Sequence, residues 1–175
     1  MIALLAAFQL FPDIAVRDLA GHAMRTKEAL DRPAAVLVGF TYDSRFAMAR
    51  WKATIDALTA KKLEVVQMPV YGGLAVLARP LIDAAMARAL SPAERLGVWT
   101  AADQPALSRA LGLDDLDRQP ATVLLGPDRH IVLIERGDPT PAAKADFLRA
   151  YEQLVTESAS DRPRPPGSKT ASRAR

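Results

Sequence analysis

Ala34-Ala-Val-Leu-Val-Gly-Phe40 is an unbroken apolar run with two β-branched valines, which is how a strand buried on both faces of a sheet reads. Working outward, a polar loop follows, Thr41-Tyr-Asp-Ser-Arg45. From Phe46 to Lys61, Met48, Trp51, Ile55 and Leu58 then fall on one helical face. The chain returns through Leu63-Glu-Val-Val-Gln-Met-Pro-Val70, a second strand. Strand, helix and strand within about 35 residues predict a βαβ unit with a right-handed crossover.

Before this unit, Asp13-Ile-Ala-Val-Arg-Asp18 and the turn residues Ala20-Gly21-His22 predict a β-hairpin edge. Thr26–Leu30 reads as a helical turn ended by Arg32-Pro33. After the unit, Leu74 to Leu90 predicts a long helix that Pro80 should kink or divide. Ser91-Pro-Ala-Glu94 has the form of a capping box with proline at the first helical position. Leu96–Thr100 reads as a short strand, and Gln104–Leu111 as a helix closed by Gly112. Ala121–Leu125 and His130–Glu135 are strands around the turn Gly126-Pro-Asp-Arg129. A last helix starts with Thr140 as cap and Pro141 behind it, and runs to about Glu157.

Composition narrows the chemistry. The 175 residues are half hydrophobic and a quarter charged, enough for one domain with a real core. There is no cysteine, which excludes disulfides, thiol catalysis and cysteine-ligated zinc. His22 and His130 stand far apart without ligand spacing around them, so neither a metal nor another cofactor is expected. No phosphate-binding glycine motif occurs, and Gly72-Gly73 is not one. The net charge of +3 is set by residues 161–175, where five Lys or Arg face one Asp, leaving the rest at about −1. That basic stretch, with its Pro, Gly and Ser, reads as a disordered tail over 159–175. Residues 1–10 are apolar but too few to span a bilayer. They read either as a signal-peptide remnant, with export to the envelope, or as a hydrophobic lead-in to a cytoplasmic domain over 11–158.

The order of hairpin, βαβ and ββα resembles the thioredoxin-fold superfamily in its peroxiredoxin-like or thiol-reductase-like form. The resemblance spans roughly residues 11 to 156, beginning with FPDIAVRDLAGHAMRTKEALDRPAAVLVGF from Phe11 to Phe40. It implies an α/β fold with a central mixed sheet flanked by helices, an N-terminal hairpin and an inserted helix. The loop Thr41–Met48 occupies the place of the family's reactive cysteines, and Gln119-Pro120-Ala121 resembles its cis-proline motif. Here Arg45-Phe-Ala-Met48 stands where a Cys-x-x-Cys pair would be. Serine is not ionised near neutral pH and cannot cycle through a disulfide, so the family's thiol chemistry is absent. The middle of the chain, from Val65-Val-Gln-Met-Pro-Val-Tyr-Gly-Gly73 through PATVLLGPDRHIVLIERGDPT, is similar to the mitochondrial ATPase-complex assembly factor family known as subunit ten. That resemblance implies a non-catalytic role in chaperoning or assembling a membrane complex.

The expected surface is therefore one that takes an extended peptide, lined by Tyr42, Asp43, Ser44, Arg45, Gln119 and Pro120. Arg45 near a helix N-terminus is electrostatically unfavourable and points to a partner or to Asp43 as its neighbour. The plainer alternative is a solvated loop in which Asp43 or Ser44 caps the helix. Met48, Trp51 and Trp99 read as core, and the helix over Leu74–Leu90 as a cover packed on the sheet, with partner binding or a membrane surface as the alternative. Asp114, Asp115 and Asp117 read as loop decoration, with a weak cation contact as the alternative. The expected partner is a protein, with no specific nucleic acid and at most peripheral membrane contact. The rival reading is a superfamily oxidoreductase or antioxidant enzyme with non-cysteine chemistry.

Overall fold

The structure, a computed structural model, describes residues 9–113 and 119–160. The apolar run forms strand β3 (Ala34–Gly39), with every residue buried. It alternates between two cores as a strand must. Ala34, Val36 and Val38 join one core with Val66, Met68, Leu107, Leu111 and Val123. Ala35 and Leu37 join the other with Trp51, Ile55, Phe147 and Leu154. Helix α2 (Ser44–Leu58) and strand β4 (Glu64–Pro69) complete the βαβ unit, with β4 parallel to β3 from Ala34↔Glu64 to Gly39↔Pro69.

On the other side of β3 lies β6 (Ala121–Leu125), antiparallel, and then β7 (Ile131–Arg136), giving the order β4-β3-β6-β7. The hairpin is present as β1 (Ala15–Asp18) and β2 (Ala23–Arg25), followed by the one-turn helix α1 (Thr26–Ala29). β1 also pairs with β5 (Trp99–Ala101), and parallel bridges Gln67↔Val98 and Val70↔Ala101 join that three-stranded sheet to β4. The central sheet is thus mixed, as expected.

The helices follow their local signals. Ser91 and Glu94 form the predicted capping box on α4 (Pro92–Leu96), and Asp103 accepts from the Ala106 N–H to start α5 (Gln104–Ala110). Thr140 accepts from Ala143 N–H at the start of α6 (Pro141–Ser160), which runs one turn past the expected end. The strand read over Leu96–Thr100 begins later, because Leu96 is taken up by α4. Between β6 and β7, Asp128 and Arg129 both adopt positive φ, a left-handed pair that closes the turn.

Helix α3 (Ala75–Ala89) continues through Pro80, so of the two expected effects of that proline, division does not occur. Pro80 and Val76 both face solvent, so the Val76 carbonyl that Pro80 cannot serve is open to water. More consequentially, none of its residues is fully buried: Ala78, Ile82 and Met86 are half-buried and Leu77 and Leu81 exposed, so it rests on the body along a narrow face only. Its charged residues Arg79 and Asp83 turn inward to the described body, onto Thr100 and Tyr71. The apolar segment 1–8, the cluster Asp114, Asp115 and Asp117, and the tail 161–175 lie outside the described residues.

Candidate functional site

The pairings Gly39↔Pro69 and Val38↔Ala121 bring three chain segments to one end of the sheet. They are the loop leaving β3, the loop leaving β4 and the residues entering β6. The Thr41–Met48 loop and Pro120 therefore lie at the same end, as the expected peptide surface requires.

Within the loop the six predicted residues divide into different roles. Ser44 is buried and faces away from solvent. Its Oγ accepts from Thr41 N–H at 3.2 Å, Thr41 Oγ1 accepts from Ser44 N–H at 3.3 Å, and the two hydroxyls are 3.0 Å apart. This is the reciprocal form of a capping box, with serine in place of the usual glutamate. Ser44 thus starts α2 and is unavailable to a ligand. The Asp43 side chain makes no capping bond, so the expected cap is supplied by Thr41 instead. Gly39 is required beneath it: a Cβ there would lie 2.9 Å from both Ser44 Cβ and Met48 Cε.

Tyr42, Asp43 and Arg45 are exposed. The Arg45 guanidinium lies 3.4 Å above the Tyr42 ring and 4.5 Å from the Phe46 ring. Its neighbours are therefore two aromatic faces, and no described ion pair joins it to Asp43. Aromatic faces offset the poor placement of a cation at a helix N-terminus by about 0.5–1 kcal/mol each at exposed sites. Tyr42 stays 74% exposed and Phe46 50%, so the stack presents its outer surface to solvent. Phe46 was not among the residues read from sequence; the signal was its position four residues after Tyr42 with Arg45 between.

Gln119 is exposed and Pro120 half-buried. The Pro120 carbonyl accepts from Gly137 N–H at 2.9 Å, and the Gly137 carbonyl accepts from Trp51 Nε1 at 2.9 Å, tying the β6 approach to α2. No peptide bond among the described residues is cis, so the bond preceding Pro120 is trans and the likeness to a cis-proline motif does not extend to its geometry.

Beside this loop, Tyr71 emerges from β4. Its hydroxyl donates to Asp83 Oδ1 at 2.8 Å, and Thr100 Oγ1 lies 3.2 Å from Asp83 Oδ2. Arg79 donates to Thr100 Oγ1 and to its carbonyl, both at 2.8 Å. Burial, then the Asp83 hydrogen bond and charge, push the Tyr71 phenol well above its ordinary value, so it remains a donor. The cluster is saturated with internal bonds and anchors α3.

Neither histidine is at this end. His130 opens β7 beside Leu125, whose partner Ala34 is the first residue of β3, so it stands a full strand length from Ser44. His22 closes the hairpin turn and bonds to Asp18, opposite the first residue of β5. Ser44 therefore pairs with neither histidine. Among the described residues no group of three or more His, Asp or Glu side chains is gathered as a metal site would need.

Many solved structures share this arrangement. A thiol:disulfide interchange protein DsbE from Chlorobium tepidum matches 84% of this chain and 96% of its own, with TM-score 0.57 and 17% identity. The fold is thioredoxin-like. BsSco, described as a member of the Sco family of cytochrome c oxidase assembly proteins, matches 85% of this chain and 94% of its own, with TM-score 0.58 and 11% identity. ScoI of Arabidopsis thaliana, solved with copper bound, matches 82% of this chain and 99% of its own, with TM-score 0.54 and 12% identity. No family profile matches the sequence, and no curated protein does. This thioredoxin-like chain has no thiol of its own to offer at the loop.

Proposed function

We propose that this is a redox-inactive thioredoxin-like domain that binds protein, in the manner of an assembly factor or chaperone at the cell envelope. The observation that carries the reading is the Tyr42–Arg45–Phe46 stack, held on a capped helix start beside Pro120 and left open to solvent. Tyrosine and arginine are the residue types that dominate binding energy at protein interfaces. The Ser44 hydroxyl in the same loop is already committed to Thr41. An extended segment would lie along the loop from Tyr42 to Arg45 and pass Gln119 and Pro120, with Arg45 and the two rings as anchors. The similarity to BsSco and the likeness of the middle segment to the ATPase-complex assembly family support the assembly role.

The test is titration of an immobilised peptide library with wild type and with Arg45→Glu and Tyr42→Ala. Peptides selected by wild type should lose at least about tenfold in affinity on either change, as expected of interface anchors. Unchanged selection by both variants would remove the loop as the binding surface. The rival reading, an oxidoreductase with non-cysteine chemistry, predicts insulin reduction or peroxide consumption above a buffer control; the protein-binding reading predicts neither.

A further inference from the structure

Helix α3 carries two charged residues on its inner face, beside the half-buried Ala78, Ile82 and Met86. Its two internal charged side chains, Arg79 and Asp83, face the protein, bound to Thr100 and Tyr71. Its leucines face water: Leu74 is 84% exposed, Leu77 82% and Leu81 77%. Pro80, Ala84 and Ala85 continue the same exposed stripe. Over residues 72–93 the sequence has only three charges, Arg79, Asp83 and Arg88, and the exposed one is the cation Arg88, in the last turn of the stripe. Helix amphipathicity ordinarily runs the other way, with leucines inward. The stripe also begins just after β4, at the end of the sheet where β3 and β4 pair Gly39↔Pro69 and from which the Tyr42–Phe46 segment leaves.

We infer that this face, Leu74–Leu77–Leu81, seats on an anionic lipid surface. Two features select that occupant. First, the stripe is roughly 20 Å long and one helix wide, a few hundred Å² at most against the roughly 800 Å² per partner of a stable protein interface. A bilayer needs no matching shape, and interfacial attachment scales with buried apolar area plus attraction to anionic lipid. Second, the one exposed charge on the helix itself is cationic. Arg88 closes the stripe, and in sequence residues 161–175 carry a net +4 against about −1 for the rest. This inference does not depend on peptide binding at the loop.

The test is co-sedimentation of the full chain with phosphatidylcholine vesicles, with and without about one-third phosphatidylglycerol. The variants are Leu77→Glu/Leu81→Glu and, to separate apolar contact from added charge, Leu77→Ala/Leu81→Ala. Both sites are exposed, so thermal melts should match wild type. Binding to the anionic vesicles, reduced at least about tenfold in both double variants, is the expected result. Three results would overturn the inference: no sedimentation of wild type, sedimentation unchanged in the variants but lost on removing residues 1–8 or 161–175, or a wild-type dimer in light scattering that the variants dissolve without any vesicle binding.

Discussion

Asp18 lies buried under the hairpin turn, where it accepts from the backbone and the ring of His22, each at 2.8 Å. Burial alone pushes its carboxyl up, but the His22 bonds and charge together hold it below the ordinary value of 3.8. A carboxyl lowered on folding contributes stability above its unfolded value and loses it as pH falls through the folded one. Thermal melts should therefore decline below about pH 4, and Asp18→Asn should flatten that decline. Asp13 and Glu94 are also lowered but sit at the surface, where water screens them, so most of the flattening should come from Asp18. An equally steep acid limb in Asp18→Asn would sink the assignment. At neutral pH, Asp18→Ala should cost about 1–3 kcal/mol, read by urea unfolding, because the hairpin donors lose a buried partner. Glu135 on β7 has the opposite sign: burial, then Asp146, raise its carboxyl. Its ionised form opposes folding, so Glu135→Gln should raise the melting temperature at pH 7 and lose that advantage below pH 4.5. A gain that persists at pH 3 would mean the effect is packing instead.

At the scale of elements, α2 and α3 are attached by different physics. α2 buries Ala47, Met48, Trp51 and Ile55 and is locked at its start by the Thr41–Ser44 pair over Gly39. Gly39→Ala forces a Cβ into contacts of 2.9 Å with Ser44 and Met48, and should destabilise by about 1–3 kcal/mol. A thermal melt unchanged from wild type would show that α2 can shift aside. α3 buries no residue fully and is held by the Arg79–Asp83–Tyr71–Thr100 cluster. Hydrogen exchange should find its amides less protected than those of α2, and Asp83→Ala should lower α3 protection at least about tenfold while leaving α2 protected. Equal protection of both helices in that variant would place the attachment elsewhere. The same contrast explains what could be read in advance. The apolar run of β3 and the 3.6-residue spacing of Met48, Trp51, Ile55 and Leu58 admit one arrangement, because only one face of α2 is apolar. In α3 nearly every residue is apolar, so sequence periodicity does not choose a face. The choice was made by Tyr71 and Thr100, distant polar groups that need Arg79 and Asp83. Likewise Ser44 looked like a surface hydroxyl, and only its pairing with Thr41 shows it turned inward. Arg45 was legible as a misplaced cation, but its rings were not, since stacking depends on side-chain direction.

Over the whole molecule, one sheet separates two cores, and each contains one of the chain's two tryptophans. Trp99 packs with Val16, Leu107 and Leu111 on the α5 side. Trp51 packs on the α2 and α6 side, 5.9 Å from the Phe147 ring. β3 and β6 lend alternate residues to both cores, so neither layer can be lost without unzipping strands that the other needs. The two layers should therefore unfold together. Single-tryptophan variants Trp51→Phe and Trp99→Phe make this measurable, since each leaves a fluorescence probe in one core. Into each background one core truncation is added, Leu107→Ala on one side or Phe147→Ala on the other. Each truncation should cost about 2–5 kcal/mol, and each should move both probes' urea midpoints by the same amount. If Leu107→Ala shifted the Trp99 transition and left that of Trp51 in place, the layers would be separable units, and the Thr41–Phe46 loop on the α2 side could persist while the hairpin and β5 melted.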